Sequence, residues 1–162
     1  FVKMGTGIGA GIVYERRLIR GHNGFAGEIG HTFLRGDAQC RCGRKGCLEA
    51  VIGATAIQNQ MSQYSEPKLL IQSIARDLSN ALISLLNVIN PQGIILWGNI
   101  LQEHPSFVSA LKLEVSSIPK WASINNELIK VSSNPSIIAM GASTLVLEYA
   151  LNNPTLFVQP TR

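Results

Sequence analysis

Charged and aromatic side chains are scarce in this sequence of 162 residues. Charged residues make up 15% and aromatic residues 6%, whereas hydrophobic residues make up 46%. A disordered chain would show the opposite balance, so we expect a globular protein that buries roughly two thirds of its unfolded surface. The scarcity of aromatics also argues against a nucleic-acid interface within this chain, because such interfaces combine basic and aromatic side chains.

Long hydrophobic runs are also missing. No apolar run reaches the roughly 18 residues that a membrane-spanning helix requires, and no secretory signal precedes the first predicted strand. The longest apolar stretch, residues 81–89, is interrupted by Ser84 and Asn87. We therefore predict a cytoplasmic protein with no membrane partner. The first methionine, Met4, lies inside a predicted strand, which suggests a fragment whose preceding half is missing.

Cysteine occurs only three times, all within the segment CRCGRKGC. An odd number leaves one thiol unpaired, and Cys40 and Cys42 are too close in sequence for an unstrained disulfide. A secreted disulfide scaffold would use more cysteines in a shorter chain. Thiolates bind zinc tightly and need a fourth ligand, which His31 can supply from nine positions upstream. We predict a Cys3His zinc site at His31, Cys40, Cys42 and Cys47; the alternative is three reduced thiols without a metal.

Positive charge is concentrated around these cysteines. The net charge is +4, and residues 1–50 hold eight Lys or Arg against four acids. Four of these cations flank the predicted metal site: Arg35, Arg41, Arg44 and Lys45. Zn²⁺ with three thiolates carries a charge of −1, so we interpret the cations as solvated side chains around an anionic metal centre.

Apolar spacing predicts an α/β domain with a mixed sheet flanked by helices. The long helix is the clearest element, because apolar positions 71, 74, 78, 82, 85 and 89 recur at helical spacing. Ser65 is its predicted N-cap, Pro67 fits the first turn, and Asn90-Pro91 ends it. The predicted strands are 1–4, 8–14, one centred on Leu18 and Ile19, 93–97 and 128–133, and the other predicted helices are 48–61, 105–117 and 135–152.

Two further motifs carry polar chemistry. The turn GTGIG, with Gly5, Thr6, Gly7 and Gly9, can bring backbone N–H groups close to an anion, although a tight hairpin explains it equally well. Glu28 and His31 are three residues apart, and the metal loop would deliver Glu49 to the same place. Two carboxylates and an imidazole can hydrogen-bond sugar hydroxyls; alternatively, both acids are surface residues near helix starts.

The segments GTGIGAGIV, GHNGFAGEIGH and CRCGRKGCLEAV, in this order, resemble the ROK family, which groups repressors, uncharacterised frames and sugar kinases. The match continues more loosely through INPQGIILWGNI and MGASTLVLE. The resemblance implies the C-terminal lobe of an actin-like ATPase (ribonuclease H-like) fold over residues 1–162, with a zinc and sugar loop at 21–49. It also implies the zinc ligands named above, sugar contacts at Glu28, His31 and Glu49, and a phosphate-facing turn at Gly5, Thr6, Gly7 and Gly9.

The resemblance leaves three functions open. The first, which we favour, is the sugar-sensing domain of a transcriptional regulator, whose missing N-terminal domain would bind DNA. In ROK kinases paired glycines commonly follow the strand that ends here at Trp97, and Asn99 replaces the second. The opening FVKMGTGIGAG and the ending ASTLVLEYALNNPTLF also look more like the regulator branch.

The second function is the C-terminal lobe of an ATP- and Mg²⁺-dependent sugar kinase, and the third is a metal-stabilised module without sugar binding. The catalytic aspartate of ROK kinases lies in their first lobe. Neither Asp37 nor Asp77, the only aspartates here, matches it. We therefore expect this chain alone to be inactive as an enzyme. The resemblance further implies a homo-oligomer.

Overall fold

The computed structural model describes residues 1–62, 66–116 and 128–153. The chain divides into two units, Phe1–Val131 and Ser132–Arg162. The first unit contains strands β1 (Val2–Met4), β2 (Ile8–Ala10), β3 (Ile12–Tyr14), β4 (Arg17–Ile19), β5 (Ile94–Trp97) and β6 (Ile129–Val131), a 3₁₀ helix (Ile29–His31), and helices α1 (Leu48–Ile52), α2 (Ala54–Met61), α3 (Pro67–Ile89), α4 (Asn99–Glu103) and α5 (Pro105–Ser116). The second unit contains α6 (Ile137–Asn152).

A mixed four-stranded sheet in the order β2-β1-β5-β6 organises the first unit. β1 pairs antiparallel with β2, whereas the pairs β1–β5 and β5–β6 are parallel. The buried side chains of β1 and β5 alternate with exposed ones, as expected for a sheet that buries one face. The predicted mixed α/β sheet is therefore confirmed.

The predicted strand 8–14 is divided at Gly11. The Gly11 N–H donates to the carbonyl of Phe1 at 2.8 Å, and the chain then leaves the main sheet. β3 instead pairs with β4 in a separate two-stranded sheet. Its two-residue turn, Glu15 (φ 49°) and Arg16 (φ 63°), has the left-handed backbone that matches the twist of a tight hairpin.

Helix α3 supplies much of the core. Of the predicted apolar positions, Ile71, Ile74, Leu78 and Leu82 are buried, whereas Leu85 and Ile89 are half-buried, so most of the predicted face is the buried one. α3 packs against α1, α2 and α5. It ends as predicted, because Asn90 adopts a left-handed backbone (φ 46°) before the proline.

The start of α3 differs from the predicted one. The helix begins at Pro67 after Glu66, whose side chain makes no capping hydrogen bond; Ser65 lies outside the described residues. In addition, residues 68–89 form a helix long and apolar enough to cross a membrane by length and composition alone. Half of the apolar stretch of this helix is buried within the structure, as in the core helix of a globular protein.

The predicted helix 48–61 breaks into α1 and α2 at Gly53, whose backbone is extended (ψ 159°). The Ala54 N–H at the start of α2 donates to the Gly5 carbonyl at 2.9 Å. A Cβ on Gly53 would lie 2.5 Å from the Glu49 carbonyl oxygen and 3.3 Å from that of Thr6. The break thus lets the helix pair pack closely against the glycine turn after β1.

The remaining elements follow the prediction with small differences. α5 and β6 fall within the predicted ranges in the described residues, whereas the five-residue α4 has no predicted counterpart. In the second unit, α6 begins at Ile137, two residues after the proline predicted in its first turn. The Asn134 side chain accepts a hydrogen bond from the Ser136 N–H at 2.9 Å and so turns the chain into α6.

Candidate metal centre and neighbouring carboxylates

Backbone contacts hold the two ends of the cysteine loop together. Phe33 bridges Cys47, and Gln39 bridges Lys45, in antiparallel fashion. The Leu34 N–H donates to the Gly46 carbonyl at 2.7 Å, and the Leu48 N–H donates to the Thr32 carbonyl at 2.9 Å. Residues 32–48 therefore form a folded-back loop that returns the chain to the start of α1.

This loop brings the four predicted metal ligands together. One ligand atom from each of His31, Cys40, Cys42 and Cys47 lies within 4.8 Å of all the others. His31 Nδ1 is 3.5 Å from Cys40 Sγ, and the sulfurs of Cys42 and Cys47 are 3.7 Å apart. Tetrahedral zinc–sulfur bonds of about 2.3 Å place sulfurs about 3.8 Å apart. The donor set and its spacing therefore fit a closed Cys3His metal site.

The cysteine thiols differ in environment. Cys40 and Cys47 are buried, whereas Cys42 is exposed. A hydrogen bond from the Arg44 backbone N–H lowers the pKa of Cys42 to about 6. Burial raises the pKa of Cys47 to about 11. Metals bind the thiolate form, so both sulfurs would have to lose their protons when a cation binds. The free-energy cost of deprotonation would be larger for Cys47, because its pKa is higher.

His31 faces two ways. Its Nδ1 points to Cys40, and its Nε2 lies 3.9 Å from Glu28 Oε2. The two residues are three positions apart across the 3₁₀ helix Ile29–His31, which begins directly after Glu28. The imidazole can thus bind a metal through Nδ1, while Nε2, which then carries the proton, can donate a hydrogen bond to a ligand next to the exposed carboxylate.

Glu49 lies at a different point of the site. It is 8% exposed, and its Oε2 accepts a hydrogen bond from the Ile8 backbone N–H at 3.0 Å. Arg41 contacts both carboxylate oxygens, through Nε at 2.7 Å and Nη2 at 3.2 Å. Among the described residues, no hydrogen bond or ion pair joins Glu49 directly to Glu28 or His31. The convergence of Glu28, His31 and Glu49 on one ligand therefore stays a prediction.

The glycine turn borders a cavity of about 430 Å³. Gly5 and Thr6 line it, together with Trp97 and Asn99 from the end of β5 and the start of α4. It lies at the carboxyl ends of the parallel strands β1 and β5, where ligands of α/β sheets commonly bind. Of the four predicted anion-binding residues, Gly7 and Gly9 do not line this cavity. Gly7 instead faces Arg41 and Glu49.

Comparison with known proteins assigns the chain to a family. The family model described as "ROK family" matches residues 1–149. This chain belongs to the ROK family. It is 31% identical to the xylose repressor of Bacillus subtilis (strain 168), over 96% of this chain and 46% of that protein.

Two solved ROK structures are similar in fold. One is a ROK family transcriptional regulator, a homologue of the E. coli MLC protein (TM-score 0.67, 25% identity, covering 80% of this chain and 40% of that one). The other is the ROK hexokinase from Thermus thermophilus (TM-score 0.77, 25% identity, covering 91% and 57%). The chain spans about half the length of these relatives. The predicted actin-like ATPase fold is confirmed, and ROK relatives include both repressors and sugar kinases.

In this ROK chain two arginines of the cysteine loop make specific hydrogen bonds, whereas the sequence had predicted solvated side chains at these positions. Arg35 binds Asp77 of α3 through two parallel hydrogen bonds, at 2.9 and 2.7 Å, and the Asp77 side chain is 8% exposed. Arg44 donates to the backbone carbonyl of His31. The sequence does contain a hint of the Arg35–Asp77 ion pair. Asp77 lies beside the apolar positions 74 and 78 of a core helix, where a carboxylate needs a partner.

Proposed function

We propose that this chain is the sugar-binding lobe of a cytoplasmic ROK transcriptional regulator, organised by zinc. The observation that carries the proposal is the position of His31, which meets the sulfur cluster through Nδ1 and Glu28 through Nε2. A metal held by His31, Cys40, Cys42 and Cys47 would supply a structural cross-link for a loop that has little apolar core of its own. Fixing the loop also fixes the imidazole beside Glu28.

The ligand we propose is a monosaccharide. Vicinal hydroxyls both donate and accept hydrogen bonds, and they suit a pairing of carboxylate and imidazole groups. Glu28 is 59% exposed and accessible to such a ligand, and Glu49 lies at the turn next to the same loop. In a regulator, sugar binding would shift the balance between DNA-bound and released forms of a longer protein that carries a DNA-binding domain.

Support for the regulator comes from the 31% identity to the xylose repressor, although an N-acetylmannosamine kinase from Haemophilus influenzae is 29% identical over a similar share of this chain. Asn99 also supports it, since this residue lines the cavity beside the glycine turn, where we would place the nucleotide of a kinase. The alternative is the C-terminal lobe of an ATP- and Mg²⁺-dependent sugar kinase, supported by the fold similarity to a ROK hexokinase. In that case Gly5 and Thr6, which line the cavity, would face the nucleotide phosphates.

We propose that the chain by itself does not transfer phosphoryl groups. Asp77 is held by both guanidinium contacts of Arg35, so it is not placed to act as a general base. Asp37 lies exposed in the cysteine loop. We also expect the intact protein to form a homo-oligomer, which sedimentation analysis would test.

The decisive experiment uses the intact protein that contains this chain, purified with its metal. Metal analysis should give about one zinc per chain. A panel of monosaccharides measured by calorimetry should contain at least one that binds, and Glu28→Gln and Glu49→Gln should each weaken it about tenfold, as expected for the loss of a charged hydrogen-bond acceptor. Glu15→Gln, which removes a carboxylate from the β3–β4 turn, is the matched control.

The same preparation distinguishes the two ROK activities. A regulator should release its operator DNA when the sugar is added and should show no sugar-dependent formation of ADP from ATP. Sugar-dependent ADP formation would favour the kinase. Full metal content with no binding by any sugar of the panel would instead leave a metal-stabilised module and contradict sugar binding.

A further inference from the structure

Arg41 occupies an unusual place in the site, because it lies between two metal ligands and reaches a buried acid. Cys40 and Cys42, two of the candidate metal ligands, flank it in the sequence. Its guanidinium covers Glu49, with Nε 2.7 Å from Oε1 and Nη2 3.2 Å from Oε2. The Arg41 side chain is 71% exposed, whereas that of Glu49 is only 7% exposed.

The carboxylate of Glu49 is nearly saturated by these contacts. A carboxylate offers about four lone-pair positions. Three are used, by Arg41 Nε, Arg41 Nη2 and the Ile8 N–H at 3.0 Å. The Ile8 contact is fixed, because Ile8 is buried and belongs to β2. One position remains, on Oε1, but the Glu49 side chain is only 7% exposed and Oε1 is also the oxygen that Arg41 Nε contacts, so a ligand hydroxyl that donates to Glu49 competes with Arg41 for access.

The surroundings of Arg41 leave it free to move outward. A Cβ on Gly7 would be 3.0 Å from Arg41 Nη2 and 3.1 Å from Glu49 Oε2, so the glycine provides room for the guanidinium between the turn and the acid. With most of its side chain in water, Arg41 can exchange its contact with Glu49 for hydration. The cost of uncovering the nearly buried carboxylate is offset when a ligand hydroxyl donates to it in place of the guanidinium.

We propose that Arg41 is a displaceable counter-ion of Glu49, a positioning residue that competes with a neutral monosaccharide for this carboxylate and so lowers sugar affinity. This inference rests on the proposed sugar-binding function. It adds a residue, carried on the metal loop itself, that sets the threshold concentration at which the sugar binds.

The test measures sugar affinity by calorimetry in the intact, zinc-loaded protein. Arg41→Gln should bind the sugar about three- to fivefold more tightly, because an ion pair with one exposed partner contributes up to about 1 kcal/mol. Lys45→Gln, which removes a positive charge from the same loop, should leave the affinity unchanged. In a Glu49→Gln background the gain from Arg41→Gln should disappear, since the neutral amide no longer attracts the guanidinium.

Salt provides a second readout that a purely structural role would not affect. Raising NaCl from about 0.05 M to about 0.5 M screens exposed charges, so the wild-type affinity should rise severalfold and that of Arg41→Gln should not. This measurement also decides the matter if Arg41→Gln loses its metal, because the wild-type series alone must show the rise.

Several outcomes would overturn the inference. Unchanged or weaker binding by zinc-loaded Arg41→Gln, or a gain that persists in the Glu49→Gln background, would remove Arg41 as a competitor while leaving the sugar site intact. A wild-type affinity independent of salt would do the same. If the wild-type protein binds no sugar of the panel, the proposed function itself fails and this inference fails with it.

Discussion

The helical core and the cysteine loop are stabilised in opposite ways. In α3 and α5, residues such as Leu78, Leu82, Phe107 and Leu111 are completely buried, and nonpolar burial drives their packing. In residues 32–47, only Cys40, Gly46 and Cys47 are buried, and the rest of the loop is held by backbone bridges and arginine contacts. The core needs only apolar side chains of suitable size, whereas the loop depends on particular polar partners.

The candidate site lies where these two regions meet. Cys47 and Glu49 flank Leu48, which is 0% exposed and belongs to the apolar core. Where the loop enters α1, a candidate metal ligand, a core residue and a candidate sugar contact therefore follow one another in the sequence. A substitution in the core should therefore change the free energy of unfolding more than the metal content, and a substitution in the loop should act mainly on the loop.

The largest effect is expected in the core. Phe107→Ala removes a fully buried aromatic ring from α5 and should lower the free energy of unfolding by about 3–5 kcal/mol, measured by urea denaturation. The zinc content of the folded protein should stay the same, because the ligands lie in the loop. Loss of metal under conditions where the variant is still folded would show that core and loop are not separable.

A second prediction concerns the loop thiols after removal of the metal with a chelator. A pH of 7 lies above the pKa of Cys42, about 6, so this residue is largely thiolate. The same pH lies far below the pKa of Cys47, about 11, so that residue is almost entirely thiol. Iodoacetamide should then modify Cys42 about 100-fold faster, since the lower intrinsic reactivity of a low-pKa thiolate offsets only part of the difference in population.

The pH dependence of this reaction gives a sharper form of the same test. The thiolate fraction rises with pH, so the rate at Cys42 should increase between pH 5 and 7 and then level off. Cys47 should remain slow throughout this range. Arg44→Ala retains the backbone N–H that acts on Cys42, so the midpoint should stay well below the usual thiol range. Equal rates at the two cysteines, measured by peptide mass spectrometry, would contradict the environments described here.

Much of the core could be predicted from the sequence because its physics is local. The spacing of Ile71, Ile74, Leu78 and Leu82 identifies the buried face of α3 without knowledge of its partners. The break at Gly53 could not be predicted, because its reason is the close approach of Thr6 and Gly5 from a distant strand. A helical pattern alone does not indicate which backbone will lie against it.

The clustering of the candidate metal ligands could be predicted for a chemical reason, whereas the contacts of the neighbouring arginines could not. Three clustered cysteines and one histidine form a donor set that suits tetrahedral zinc, and their four ligand atoms do lie together. The roles of Arg35 and Arg41 depend on geometry. Arg35 meets Asp77, 42 positions away, and Arg41 meets Glu49 only because the loop folds back. Long-range ion pairs leave no periodic signal in a sequence.

The last and smallest effects compare two ion pairs on α3. Arg35→Gln leaves the nearly buried Asp77 without its bidentate partner and should cost about 1–2 kcal/mol of unfolding free energy, a value discounted because Arg35 is 55% exposed. Arg76→Gln is the matched control. The contact of Arg76 with Glu114, at 3.4 Å, joins side chains that are 68% and 31% exposed, so its loss should cost at most about 0.5 kcal/mol.

Adding Asp77→Asn to Arg35→Gln should recover part of the lost stability, since a neutral amide is cheaper to bury than an unpaired carboxylate. Equal costs for the two arginine variants in urea denaturation would show that the clamp between loop and core is no stronger than a surface pair.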